Sequence, residues 1–344
     1  MISQMMRESA EIPSVIRRQL EMDDTNFRNL VVAIQNKKPS TLVTVARGSS
    51  EHSACYFRYA LSSSLGLLPC SLPPSIITID STELNFSECL VIAVSQSGES
   101  PDLVKVLKNA RERGGITCGV INNEDSPLGR VAEFTFGTKA GVEASVAATK
   151  TFMANLSLCY RLWGYLLNDA DNISQLKKLA TLLEAPYSNS FDSFTQFASD
   201  AHSIIVLSRG LGMATARESA LKLSETCGMV SSYYSTAEFK HGPMALASTR
   251  VPILVIGTRG PAFSSIQRAV KELREKGAEL FYLAPSDIPT TDVPPDCHYP
   301  APEDWRLDPI VAIRFLYTVI EQISKKRGYN PDCPPLLSKV THTI

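Results

Sequence analysis

The chain has 344 residues, a length that suits two domains of ordinary size better than one. Apolar residues make up 44% and charged residues 20%, which excludes a disordered chain. Lys and Arg number 34 against 35 Asp and Glu, so the net charge is −1; this argues against a broad basic surface for nucleic acid, and any anion must be held locally by a shaped site.

In chain order, residues 1–36 read as charged helix, an arm that packs on the domains or on a partner subunit. They mix acids with bases and carry no apolar core of a signal peptide. The first strand-like run is Thr41-Leu-Val-Thr-Val-Ala-Arg-Gly48, followed by a helical pattern. The second, Leu90-Val-Ile-Ala-Val94, runs straight into Ser95-Gln96-Ser97-Gly98-Glu99-Ser100, and Pro101 then suits the first position of a helix. A third run covers residues 115–121. Residues 149–166 and 173–183 are two candidate helices, punctuated by Asp169, Asn172 and Pro186. Strand-like runs return at Ser203-Ile-Ile-Val-Leu-Ser-Arg-Gly210, at residues 252–256 and at residues 277–283. Residues 285–302, rich in Pro and Asp, read as a loop crossing to the last strand and helix. No run of about 18 apolar residues is present, so no membrane span is expected. The eight cysteines form no Cys-x-x-Cys pair and are expected to be free thiols in a reducing cytosol.

The strand-like runs repeat at an offset of 162 residues: Thr41–Gly48 matches Ser203–Gly210, Leu90 falls on Pro252, Gly98 on Gly260, and residues 115–121 on 277–283. Three matches at one offset point to duplication, and the period is far too long for a solenoid. Apolar strands alternating with helices predict an α/β chain of two tandem, doubly wound parallel-sheet domains with flanking helices.

The turn after the second run carries the clearest chemistry. Ligands of an open parallel sheet sit off the carboxyl ends of strands, where a helix N-terminus offers unpaired N–H groups. Three serine hydroxyls and a glycine there suit a phosphate dianion without a basic surface. The same residues could equally be turn and cap formers. The second copy has Gly257-Thr-Arg-Gly260 instead, which marks the first copy as specialised. No dinucleotide fingerprint or Walker-type loop is present; Arg209-Gly-Leu-Gly212 lacks the third glycine.

Glu218, Lys222 and Glu225 are spaced i, i+4 and i+7 on one helix face. Such spacing ordinarily marks a solvated ion-pair stripe. His241 lies in the polar turn Glu238-Phe-Lys-His-Gly-Pro243. A carboxylate, an ammonium and an imidazole following successive strands would converge at the sheet's carboxyl edge, a set suited to proton transfer beside a carbonyl. No His, Cys and Asp cluster has metal spacing, so neither metal nor cofactor is expected.

Together these motifs, with Arg47-Gly-Ser-Ser-Glu-His-Ser53, Val146-Ala-Ala-Thr-Lys-Thr-Phe152 and Leu337-Ser-Lys-Val-Thr341, resemble the sugar isomerase (SIS) family. The pattern is similar to the isomerase half of glucosamine-6-phosphate synthase and its stand-alone deaminase relatives, from about residue 26 onward. The resemblance implies two flavodoxin-like SIS domains: an arm over 1–25, domain one over 26–168, a helical linker over 169–192, domain two over 193–330, and a tail over 331–344 that closes over the site. It implies that Ser95, Gln96, Ser97 and Ser100 hold a sugar phosphate. Ser50 and the backbone near Val146 and Ala147 would hold sugar hydroxyls, with Glu218 also at the substrate. Glu225 would move a proton between C1 and C2, Lys222 would assist at the sugar oxygens, and His241 would open the ring, delivered in such enzymes by a neighbouring subunit. Lys339 would close over the sugar. The chain departs from the synthase at Ala148 and Arg47, and its tail matches only with a one-residue gap.

The expected ligand is therefore a phosphorylated amino sugar, with no nucleic acid and no membrane partner, in a cytoplasmic homodimer with shared sites. The chain starts at Met1-Ile2 without the synthase's glutaminase domain, so the expected reaction is glucosamine-6-phosphate deamination to fructose 6-phosphate and ammonia. Close alternatives are a galactosamine-6-phosphate deaminase, another phosphosugar aldose–ketose isomerase and a fructosamine-6-phosphate deglycase. From a different class comes a non-catalytic sugar-phosphate sensor, though only about 25 residues precede the first domain, too few for a regulatory module such as a helix-turn-helix.

Overall fold

The computed structural model describes residues 2–185, 192–288 and 293–339. Met1, Pro186, residues 289–292 of the Pro/Asp-rich segment, and Val340 and Thr341 of the tail motif lie outside the described residues. The chain opens with α1 (Gln4–Ala10), α2 (Ile12–Leu20) and α3 (Thr25–Lys37). Then follow β1 (Thr41–Val45), α4 (Gly48–Leu65), β2 (Leu68–Ser71), α5 (Ser75–Thr78), β3 (Cys89–Ser95), α6 (Pro101–Glu112), β4 (Ile116–Ile121), α7 (Pro127–Val131) and β5 (Phe134–Gly137). Three helices come next: α8 (Lys150–Leu167), α9 (Asn172–Leu182) and α10 (Asp192–Ser199). The second half holds β6 (Ser203–Ser208), α11 (Met213–Cys227), β7 (Val230–Ser235), β8 (Ile253–Ile256), α12 (Phe263–Glu275), β9 (Leu280–Pro285), β10 (Cys297–Tyr299) and α13 (Asp308–Lys326).

Two compact units result. One comprises Ser14–Glu143 and Lys150–Lys177, with Ser338 and Lys339; the other comprises the chain up to Pro13, Ala144–Thr149 and Lys178–Leu337. Each is built on its own five-stranded parallel sheet, ordered β2-β1-β3-β4-β5 in one and β7-β6-β8-β9-β10 in the other. The central strands are buried throughout, which is what a parallel sheet covered on both faces requires of its Val- and Ile-rich runs. The N-terminal helices are not a single arm, because the division between the units falls within α2. Among the described residues no helix is long and apolar enough to cross a membrane.

Strand pairing refines the repeat. Val43 pairs with Val91, and Ile205 with Ile253, both displaced by 162 residues. The next partner of Val91 is Thr117, whereas that of Ile253 is Leu280, a displacement of 163. A one-residue slip would turn each side chain to the other face of the sheet. The cores agree with the pairing. Ile121 shares one cluster with Val43, Val45, Val91 and Ala93, and Ala284 shares the other with Ile205, Leu207, Ile253 and Val255. Residues 115–121 therefore correspond to 278–284, one residue beyond the gapless alignment. The Pro/Asp-rich segment also holds a strand, β10, where the sequence reads as loop.

Candidate active site

In the unit built on the first sheet, the strand order reverses between β1 and β3, the place where doubly wound sheets open a crevice. The serine turn leaves β3 there. Gly98 has a φ of +69°, and a Cβ on it would stand 2.0 Å from the Ser126 hydroxyl, so only glycine fits. The Gly98 N–H donates to Ser95 Oγ at 3.0 Å and the Glu99 N–H to Ser97 Oγ at 3.3 Å. Two of the serines thus shape the turn. Ser100 occupies the N-cap position of α6 but makes no side-chain cap bond to the helix. Gln96, Ser97 and Ser100 are half-buried, as is Ser50 in the first turn of α4. On the β1 side, Arg47 donates to Asp102 Oδ2 at 3.0 and 3.2 Å. Asp102 is buried in the first turn of α6, where the helix dipole favours a carboxylate. The result is a small, nearly neutral set of hydroxyl and N–H donors.

The equivalent turn of the second copy has become a structural clamp. The Arg259 N–H donates to Asp308 Oδ2 at 2.6 Å, and its guanidinium pairs with Asp308 at 2.6 Å and Asp287 at 2.5 Å. Asp308 is fully buried at the start of α13, and burial raises its pKa despite Arg259. An internal carboxylate takes the donors that the first copy leaves beside its hydroxyls.

Glu218, Lys222 and Glu225 are not a solvated stripe. Glu218 and Lys222 are buried within the second unit, and only Glu225 reaches toward solvent, its side chain 20% exposed. Lys222 Nζ stands 3.3 Å from Glu218 Oε1 and 2.5 Å from Glu225 Oε2. Tyr317 of α13 donates to Glu218 Oε1 at 3.3 Å. Burial works to lower the Lys222 pKa, but the two carboxylates reverse this and raise it, so the ammonium keeps its proton. Glu225 opens onto a cleft of about 470 Å3 lined with Gly228, Tyr329, Pro335, Leu336 and Leu337. Gly228 has a φ of +62°, and a Cβ there would meet the Tyr329 hydroxyl at 2.4 Å.

His241 does not join this trio at one sheet edge, as the sequence suggested. The crossover helix α11 returns from the carboxyl end of β6 to the amino end of β7, so Glu225, in its last turn, lies at the amino edge. His241 follows the carboxyl end of β7, exposed, and lines a separate cavity with Arg209, Lys240 and Arg268. A six-residue strand separates the two edges by roughly 17–20 Å. Within one chain the imidazole and the Glu225 carboxylate cannot meet.

Several supporting residues escaped the sequence reading. Glu8 of α1 accepts N–H bonds from Ala144 at 2.5 Å and Ser145 at 3.2 Å, fixing the loop that carries half-buried Val146 and buried Ala147. Asp332 caps α1 through the N–H groups of Gln4 and Met5 at 2.8 and 2.7 Å. In the first unit, buried Glu143 accepts from the Thr151 N–H and hydroxyl at 3.2 and 2.9 Å and pairs with Lys339 at 3.3 Å. Only Glu143, three residues ahead of the Val146 motif, had a sequence signal. Among the described residues no three His, Cys, Asp or Glu side chains are grouped as a metal site.

Comparison with known proteins agrees with this architecture. The chain is 30% identical over 341 residues to a glutamine–fructose-6-phosphate aminotransferase [isomerizing] of Methanothermobacter thermautotrophicus, covering 97% of this chain and 56% of that protein. It thus spans little more than half the length of the curated relatives it matches. A candidate phosphosugar isomerase of Silicibacter pomeroyi, 31% identical, superposes with a TM-score of 0.86 over 96% of this chain and 100% of that one. The C-terminal domain of glucosamine-fructose-6-phosphate aminotransferase from Francisella tularensis, 23% identical, shares the fold with a TM-score of 0.83 over 97% of this chain and 99% of that one. The SIS domain model matches residues 34–163 and 198–292, each range spanning most of one of the two sheets, and the chain therefore belongs to the SIS domain family.

Proposed function

We propose that the chain is a phosphosugar isomerase acting on an amino sugar phosphate, and that its reaction is the deamination of glucosamine 6-phosphate. The observation that carries this is the buried Glu218–Lys222–Glu225 chain, in which one carboxylate opens to a cleft and is held by an ammonium that stays protonated. A buried ion triad is costly to maintain for stability alone, and its exposed member is suited to shuttling a proton. The relatives' name, aminotransferase [isomerizing], fits the same substrate class.

In this reading Ser95, Gln96, Ser97 and Ser100 hold the phosphate, and Ser50 with the backbone at Val146 and Ala147 holds the hydroxyls. His241 of a second copy opens the pyranose ring, because the topology keeps this chain's own imidazole from Glu225. The protein accordingly works as a homodimer. Glu225 takes the C2 proton of the open-chain aldehyde and returns it at C1, while Lys222 and Glu218, both buried, act through that carboxylate and not at the sugar oxygens. The resulting C2 imine adds water and loses ammonia, so glucosamine 6-phosphate and water give fructose 6-phosphate and ammonia. Lys339, tethered by Glu143, closes the tail over the sugar.

The test is purified protein with glucosamine 6-phosphate, following ammonia and fructose 6-phosphate together, beside Glu225→Gln. Equal release of both products, lost in the variant while sugar-phosphate binding persists, is the expected result. Hexose phosphate interconversion without ammonia would replace deamination by simple isomerisation. Absence of turnover on any hexosamine, ketosamine or hexose 6-phosphate would leave a sugar-phosphate sensor.

A further inference from the structure

The loops after β6 and β7, with one face of α12, enclose a second cavity of about 390 Å3 in the unit built on the second sheet. This is within the roughly 300–1,000 Å3 range of small-molecule sites. It lies off the carboxyl ends of the strands and beside the point where this sheet reverses its order, between β6 and β8. Its walls carry Arg209, Thr236, Lys240, His241, Ser265 and Arg268.

The charge balance sets it apart from the serine turn. Arg209 corresponds to Arg47 at the 162-residue offset, and Asp102, which neutralises Arg47, corresponds to Ser264. Arg209 and Arg268 form no ion pair among the described residues, whereas Lys240 is paired with Glu272. Ser265 and Arg268 stand three residues apart on one face of α12. Thr236 is 2% exposed, and its Oγ1 meets no hydrogen-bond partner among the described residues. That oxygen is closed off from the cavity, so the charge of the site rests on the two guanidinium groups. Two uncompensated guanidinium groups on the walls of one cavity match the oxygens of a phosphoryl group.

We propose that this cavity is a second anion site that binds a phosphomonoester, with Arg209 and Arg268 clamping the phosphoryl oxygens. Its donors are guanidinium groups, whereas those of the serine turn are hydroxyl and N–H groups; the His241 ring beside it is the one that the proposed function sends to a second copy.

The experiment is calorimetric titration of inorganic phosphate into the full chain, into a Ser97→Ala/Ser100→Ala variant, and into the same variant with Arg209→Ala and Arg268→Ala added. Both arginines are exposed, so their removal leaves the fold intact. The serine variant should keep one phosphate per chain, and removing the arginines should weaken that binding at least tenfold. Failure of the serine-turn reading has a different signature, since the serine substitutions would then leave wild-type binding unchanged while the arginine substitutions still remove one phosphate. A single phosphate per chain abolished by either pair would overturn the proposal, as would residual binding indifferent to the arginines. Competition with a hexose 6-phosphate and with a nucleoside 5′-monophosphate identifies the natural source. Displacement by either upholds the site, and displacement by neither overturns it.

Discussion

Replacing Lys222 by methionine removes the ammonium that stands between Glu218 and Glu225 while nearly conserving volume. Glu218 is fully buried and would lose the ammonium 3.3 Å from its Oε1, while keeping the Tyr317 hydroxyl at 3.3 Å. Breaking a buried ion pair by deleting one partner costs about 3–5 kcal/mol, because the remaining charge is uncompensated. A direct estimate agrees: two unit charges at the 3.3 Å of the Lys222–Glu218 contact interact by about 5 kcal/mol at an effective dielectric of about 20. At a urea dependence of about 2–3 kcal/mol per M, the transition of the second unit should fall by roughly 1–2 M. The pH dependence follows from the raised Lys222 pKa. A group whose pKa is raised on folding contributes stability that is complete below its unfolded pKa, about 10.4, and is lost as pH rises through the folded value. The gap between wild type and Lys222→Met should therefore hold from neutrality to about pH 10 and narrow above it. Adding Glu218→Gln should recover most of the loss, since the stranded charge goes with it. Urea melts at pH 7 and pH 11 check all three points. A single-variant loss under about 1 kcal/mol, or a double variant no more stable than the single, would refute the argument that the ammonium holds this carboxylate in the core.

Gly98→Ala should distort the serine turn, because the backbone is left-handed and the new methyl meets Ser126; a stability loss of about 1–3 kcal/mol and at least tenfold weaker sugar-phosphate binding are expected in melts and calorimetry. Asp332→Ala should release the two capped N–H groups of α1 at a cost of about 0.5–2 kcal/mol, read as faster amide exchange at Gln4 and Met5, since a seven-residue helix does not persist on its own. Thiol titration of the native protein should show one fast cysteine, Cys333, the exposed one; Cys227 should stay silent, burial having pushed its thiol up to about 11.

The central strands were legible in the sequence because a strand buried on both faces must be apolar at every position, and that leaves a continuous Val and Ile run. The edge strands β2 and β7 were not, since each has exposed or half-exposed positions throughout and so loses the pattern. The gapless repeat matched strands but could not see the one-residue slip at β9, because periodicity in a fully buried run does not report which face a residue takes. Glu218, Lys222 and Glu225 were placed on one helix face by spacing alone. Whether that face met water or the core depended on α13, whose Tyr317 lies 99 residues away in sequence. His241 illustrates the same boundary. Its turn was visible in the sequence, but the separation from Glu225 follows from the helix running back against its strands. Local sequence determines which residues can share a helix face or shape a turn. The tertiary structure decided which of those faces are dry, which charges are compensated, and which groups stand at the same edge of a sheet, because each of these depends on partners distant in the chain.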